Sequence, residues 1–390
     1  MKKVILLVLS TLCFVLVIFA QPKNSIPDCV PDVVINKNFS KASVIDSILR
    51  KYTAEGLPGV SIAVFTEQEG WWAGAGGYSK LETKTLMTNC NIQYLQSVSK
   101  TYMAVVIMKL YEEGKIKLDV PITGYLPLKY SRFIKQADKM TVRMLLNHTS
   151  GVPEYGNNPV FVANIILHPT TIFKMEEAIS CLADESPMFE PGSRHSYSNT
   201  NYLLLAMIAD VITGDHAKYM EENIFKPLSL NHTFYRSNNR YLNYPDLTDS
   251  YWDVLNCGRP ANITPLQKAN VAMLKGDDGI VCTTTDAIKF LKGLVEHKLL
   301  RDSTFALMQH WVNDDKGNPI YGLGLVHYEA GGLVGFGHSG GGIGAGCVLI
   351  YVPSKKTYLF MATNLGVLIE SDLSKKADNM KDEILGALLF

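Results

Sequence analysis

Ser97-Val98-Ser99-Lys100, continued by Thr101-Tyr102-Met103-Ala104-Val105-Val106-Ile107-Met108-Lys109-Leu110-Tyr111, is the stretch on which the reading of this chain turns. The run meets no breaker until Glu112-Glu113-Gly114, a helix-stop pattern. Much of it is apolar, so the helix is expected to lie buried between layers. Positions i and i+3 share a helix face, which brings the Lys100 ammonium toward the Ser97 hydroxyl. A serine hydroxyl attacks well only when a base takes its proton, and lysine is such a base when burial or neighbours lower its pKa. Ser97 at the helix N-terminus also has free N–H groups and the helix dipole beside it, both of which favour a developing negative charge. Taken alone, Ser-x-x-Lys fits a capping serine followed by a surface lysine better than a catalytic pair. The rest of the chain has to decide.

The chain of 390 residues is long enough for one large domain or two. Its 47% hydrophobic and 19% charged residues are ordinary for a globular protein. Lys+Arg and Asp+Glu are both 37, a balance that argues against a nucleic-acid partner or a polybasic membrane surface. Met1-Lys2-Lys3, the apolar run Val4 to Phe19 and the pair Ala20-Gln21 read as an export signal over residues 1–20. The expected location is periplasmic or secreted. Ile18 is atypical three residues before the cut, so an uncleaved anchor is the alternative. No other stretch is long and apolar enough to span a bilayer, and no stable membrane partner is expected beyond this segment. Residues 21–41, with Pro22, Pro27 and Pro31, read as a linker. The mature part keeps Cys29, Cys90, Cys181, Cys257, Cys282 and Cys347. Six cysteines allow fifteen pairings and the spacing selects none. With no Cys-x-x-Cys and no His-x-x-x-His, neither a metal nor a cofactor is expected.

Residues 42–390 read as one domain. Val44, Ile45, Ile48, Leu49 and Tyr52 have helical spacing. Gly59 to Phe65 reads as a strand and Trp71 to Tyr78 as its hairpin partner. From about 98 to 275 the pattern is helical and loop-rich, with a short helix Thr141 to Asn147 capped by Thr141 and another from Asn201 to Ile212 ended by Gly214. Thr284-Thr285-Asp286-Ala287 reads as the cap of a later helix. Ile320 to Val326, Gly332 to Gly337, Gly346 to Val352 and Thr357 to Thr363 read as consecutive strands, and Met380 to Leu389 as a closing helix. The fold class is α+β: an antiparallel sheet flanked by helices, formed by both chain ends, plus an inserted mostly helical region.

Two further clusters carry chemistry. Ser196-Tyr197-Ser198-Asn199 sits in a polar stretch before the Asn201 helix. A phenol beside a lysine cation can act as a base, and an asparagine amide can bind a substrate amide and hold the lysine. Gly337-His338-Ser339-Gly340-Gly341-Gly342 places small residues on a strand edge. Such an edge lets a substrate backbone approach as an added strand, and its free N–H groups can supply half of an oxyanion hole. The histidines His148, His195, His216 and His327 read as structural or surface groups.

Ser-x-x-Lys, Tyr-x-Asn and His-Ser-Gly, in this order, resemble the motifs of the penicillin-recognising serine hydrolases, the superfamily of class C β-lactamases and low-molecular-weight D-Ala-D-Ala carboxypeptidases. Leu145-Leu146-Asn147-His148-Thr149-Ser150-Gly151, Leu118-Asp119-Val120-Pro121 and Tyr321-Gly322-Leu323-Gly324 resemble further markers of the family. The resemblance runs from about Ala42 to the C-terminus and implies a β-lactamase/transpeptidase-like fold. It implies that Ser97 is a nucleophile forming an acyl-enzyme, that Lys100 and Tyr197 share the proton work, and that Asn199 binds the substrate amide and the lysine. The N–H groups of Ser97 and Gly341 would form the oxyanion hole, with His338, Ser339 and Gly340 on the substrate-binding edge. The implied partners are a small peptide, an ester or a β-lactam, with peptidoglycan as the larger substrate. His338 stands where many relatives have lysine, and histidine is mostly neutral at pH 7. That departure ranks a D-Ala-D-Ala carboxypeptidase or related D-peptidase first, with a carboxylesterase or a β-lactamase as alternatives. The non-enzymatic alternatives are a β-lactam sensor and an inactive scaffold.

Overall fold

The computed structural model describes residues 32–236 and 241–390; the expected export signal and residues 21–31 of the expected linker lie outside them. Ala42–Ala54 (α1), Gly59–Thr66 (β1), Gly70–Lys80 (β2) and Thr85–Leu86 (β3) come first. Ser99–Glu112 (α2), Pro159–Leu167 (α3) and Asn199–Thr213 (α4) lie in the insert, and Thr284–Val295 (α5) follows it. Val312–Asn313 (β4), Pro319–Tyr321 (β5), Val326–Ala330 (β6), Leu333–Gly341 (β7), Gly346–Val352 (β8), Thr357–Thr363 (β9) and Asp372–Leu389 (α6) close the chain.

Among the described residues nine strands form one antiparallel sheet in the order β3-β2-β1-β9-β8-β7-β6-β5-β4. The two chain ends meet at its centre, where Ile62 of β1 lies opposite Met361 of β9. Period-two alternation sends Val60, Ile62 and Val64 to one face, against Ile45 and Leu49 of α1 and Met380 and Ile384 of α6. Ala63, Leu349 and Phe360 face the other way, into a core shared with α2, α4 and α5. Both faces are covered, which is why β1 reads as a nearly continuous apolar run. Each large aliphatic side chain buried here contributes about 1.5–3 kcal/mol.

Helix α2 is the inner post of the helical layer. Every residue from Ser99 to Met108 is buried, and Tyr102 stacks on Phe290 of α5. The helix ends where expected, with Gly114 at φ 72°. Thr141 caps its short helix, accepting from the Met144 N–H. Three expectations need correction. Ile320 to Val326 is not one strand: β5 stops at Tyr321 and β6 starts at Val326. Between them Gly324 has φ 80°, and its carbonyl accepts from Thr101 Oγ1 of α2 at 2.8 Å. The chain turns there because it is pressed against α2. The Thr284 segment does not cap α5 with its own side chains; the Asp286 carboxylate instead accepts from the His232 N–H and from Thr233 Oγ1. The closing helix starts earlier than expected, at Asp372, where Ser371 and Ser374 form a capping box. Among the described residues Cys90 is disulfide-bonded and Cys181, Cys257, Cys282 and Cys347 are free. No described helix is long and apolar enough to cross a membrane.

The contact at Gly324 gives a direct test. A Cβ there would collide with the Ala104 side chain on α2 and would force a left-handed φ on alanine. Gly324→Ala is expected to cost about 2–4 kcal/mol, combining the backbone penalty with overpacking. The measurement is a lowered urea midpoint with an unchanged slope.

Candidate active site

Ser97 is delivered by a strained turn. Gln96, just before it, has φ 47°, a left-handed conformation unusual for glutamine. Residues Gln96–Val98 form one 3-10 turn that runs straight into α2. The turn is clamped by the glycine edge of β7. A Cβ on Gly340 would lie 2.5 Å from the Leu95 carbonyl oxygen and 2.8 Å from Gln96 Cβ. The same Leu95 carbonyl accepts from Cys347 Sγ at 3.1 Å. Val98, Ser99 and Lys100 are fully buried, while Ser97 is only half-buried and lines a cavity.

Lys100 has no solvent exposure. Its Nζ donates to Ser97 Oγ at 2.9 Å and to the Asp277 carbonyl at 2.7 Å. It also lies 5.2 Å from the centre of the Tyr197 ring and 5.8 Å from that of Tyr202. The second anchor is therefore a backbone carbonyl, and not Asn199 as expected. Asn199 opens α4 instead of sitting in a loop; its N–H donates to the Glu154 carboxylate and the residue lines the cavity. Asp277 is itself fixed, with its carboxylate accepting from Tyr155 Oη at 2.6 Å. Burial raises the Asp277 carboxyl to about 6 against the pull of Lys100, and raises Asp278 to about 7.

Tyr197 stands on the loop before α4 and is held by His148. The two rings lie 4.2 Å apart, and His148 is completely buried with φ 60°. His148 Nδ1 accepts from the Ser198 N–H at 3.3 Å and from Asn201 Nδ2 at 3.0 Å, while its carbonyl accepts from the Ser196 N–H. An accepting Nδ1 carries no proton, so the ring is neutral. Burial, reinforced by the Lys100 charge, holds its pKa well below the usual histidine value.

Strand β7 contributes unevenly. His338 is 2% exposed and does not line the cavity. Its Nδ1–H donates to the Ser339 carbonyl at 2.6 Å, which leaves Nε2 to accept from Tyr321 Oη at 2.9 Å. Burial, then Lys100, lowers it to about 3, so it is a neutral support and not a substrate-facing group. Ser339 also departs from expectation. Strand alternation turns its side chain to the opposite face, where it lines a separate cavity of about 230 Å³ against α6. Gly340 packs on the Ser97 turn. Gly342 N–H bonds the Ala345 carbonyl, so Gly340 and His338 face β8 in the ladder and Gly341 faces the other edge. There β6 pairs only as far as Gly337, which leaves the Gly341 N–H directed beyond the sheet. Ser97 and Gly341 line the same cavity.

Ser97, Lys100, Tyr197, Asn199 and Gly341 thus come together, with His338 behind them and Ser339 turned away. The sequence reading missed Asp277, Tyr155 and Glu154. Its only hint was a pair of acids, Asp277-Asp278, directly before the apolar run Ile280-Val281-Cys282. Among the described residues no cluster of histidine, cysteine and carboxylate side chains is arranged to hold a metal.

Comparison with known proteins follows this geometry. A sequence profile of the family described as Beta-lactamase matches residues 45–380. Penicillin-binding protein 4* of Bacillus subtilis is 30% identical over 302 residues, 73% of this chain. The match covers only 64% of that protein's length. Among solved structures, a D-stereospecific amidohydrolase from Streptomyces sp. superposes with a TM-score of 0.74 at 25% identity, covering 86% of this chain and 97% of its own. The D-amino acid amidase of Ochrobactrum anthropi SV3 has a TM-score of 0.76 at 23% identity, covering 90% and 99%, and supports the fold.

Two outcomes are expected from the site. Lys100→Ala should lower the rate of covalent labelling of Ser97 by roughly 10²-fold or more, read by intact mass, because the proton acceptor is gone. The His338 ring resonances should show no titration step between pH 5 and 8, where a free histidine titrates near 6.5. Its folded pKa lies below the unfolded one. The stability it contributes is therefore complete above about pH 6.5 and lost as the pH falls toward 3.

Proposed function

The chain belongs to the Beta-lactamase family, and on that footing we propose that it is a serine hydrolase working through an acyl-enzyme on Ser97. The observation that carries the proposal is the 2.9 Å contact between Lys100 Nζ and Ser97 Oγ at the wall of an open cavity. Ser97 Oγ attacks the substrate carbonyl as Lys100, in its unprotonated amine form, takes its proton. The N–H groups of Ser97 and Gly341 receive the oxygen that becomes negative. Tyr197, over the lysine, passes a proton to the departing amine or alcohol. Water then cleaves the ester on Ser97 by the reverse path.

An amide or ester of neutral character fits the site better than a peptide ending in a free carboxylate. A terminal carboxylate calls for a cation, and the described residues lining the cavity include no lysine, arginine or histidine. Similarity to the Streptomyces amidohydrolase supports a D-amidase or D-peptidase reading. Similarity to the Bacillus penicillin-binding protein supports acylation by penicillin as a side reaction. The basic start and apolar run of residues 1–20, read as an export signal, fit action outside the cytoplasm.

The test is intact mass after a pulse of fluorescent penicillin or a short ester, together with turnover of D- and L-amino acid amides. A single adduct on Ser97 and faster release from the D-amides are expected, both lost in Ser97→Ala. An adduct on Ser99, or full turnover by Ser97→Ala, overturns the proposal.

A further inference from the structure

We propose that the cavity beside Ser97 binds an ester or amide through a long, uncharged, apolar arm laid between α3 and the loop joining β9 to α6. The inference rests on the Ser97 hydrolase reading above and names its substrate class. The cavity has a volume of about 610 Å³, in the range of sites that enclose a small molecule. One wall is Phe161, Ile165 and Ile166 of α3, and the facing wall includes Leu368 and Ile369.

These walls are more apolar than the fold requires. Helix α3 reads Pro-Val-Phe-Val-Ala-Asn-Ile-Ile-Leu, yet Phe161 is its only buried residue. Ile166 is 70% exposed, and across the mouth Leu368 is 63% and Ile369 52% exposed. An apolar helix whose side chains are left in water beside a nucleophile is matched by an apolar ligand that covers them.

Charge points the same way. The charged groups lining the cavity are Glu154, Asp277 and Asp278, all carboxylates. Each holds a bond within the fold: Glu154 accepts from the Gly156 and Asn199 N–H groups, Asp277 from Tyr155 through one of its two oxygens, and Asp278 from the Gly279 N–H. An anionic arm finds no cationic partner among the described residues lining the cavity. The reaction is ordinary acyl transfer. The Ser97 Oγ–acyl bond forms, the acyl–oxygen or acyl–nitrogen bond of the substrate breaks, and the Ser97 proton passes through Lys100 to the departing alcohol or amine. Water then returns the acid and restores Ser97.

The experiment uses p-nitrophenyl esters from acetate to decanoate, kept below their micelle concentrations. A fully buried methylene is worth about fourfold, so kcat/KM is expected to rise at least about tenfold from butanoate to octanoate. Replacing the terminal methyl of the octanoyl chain with a carboxylate should remove the gain. Ile166→Asp and Ile369→Asp, both at exposed positions, should lower the octanoate-to-acetate ratio while Ser97 still labels with a fluorophosphonate. A flat or falling profile, or faster turnover of the carboxylate-tipped ester, overturns the assignment of the cavity when Ser97 labels normally. Absence of both labelling and ester hydrolysis overturns the hydrolase reading itself.

Discussion

The structure depends on keeping one ammonium group, that of Lys100, inside the protein. An isolated buried charge costs several kcal/mol or more, so its surroundings have to solvate it. Here that solvation comes from the Asp277 carbonyl, the Ser97 hydroxyl and the faces of Tyr197 and Tyr202. The constraint spreads outward. Asp277 has to be held, and Tyr155 holds it. A second cation nearby would be repelled, and His148 and His338 are both neutral, each fixed by a partner that settles its tautomer. The site is a set of polar groups arranged to tolerate one charge next to one hydroxyl.

The layers explain why that arrangement stays open to a ligand. Helix α2 is buried from Ser99 to Met108, and the half-buried Ser97 sits on the 3-10 turn just before it, against the glycine edge of β7. Gly340 keeps that edge thin, so that its backbone meets the Leu95 carbonyl at the turn carrying Ser97, and Gly342 leaves room for the Gln96 side chain. Side chains there would push the strand away from Ser97 and narrow the cavity beside it. The cavity consequently falls between the sheet and the helical insert, a common position for binding sites.

Membership of the Beta-lactamase family accounts for the fold and the order of the three clusters. It does not select a substrate, because one fold hosts many chemistries. The selection lies in the walls. The acidic groups each hold an internal hydrogen bond, and much of the apolar surface is made by α3 and by the segment after β9. His338 illustrates the point: it is sealed behind the strand against Tyr321.

The sequence by itself determined what depends on local spacing. Ser97 and Lys100 meet because residues three apart share a helix face, and the burial of α2 follows from its apolar run. The assembly of the sheet from both chain ends was legible in β1, β8 and β9, whose side chains are apolar on both faces. Tertiary structure alone decided what depends on distant partners or on strand parity. The Asp277 carbonyl reaches Lys100 across 177 residues, a pairing that no local pattern encodes. Ser339 turns away from Ser97 because a strand reverses its side chains at every residue. The turn at Gly324 exists because α2 occupies the space a continuous strand would need, and only the packed fold places α2 there.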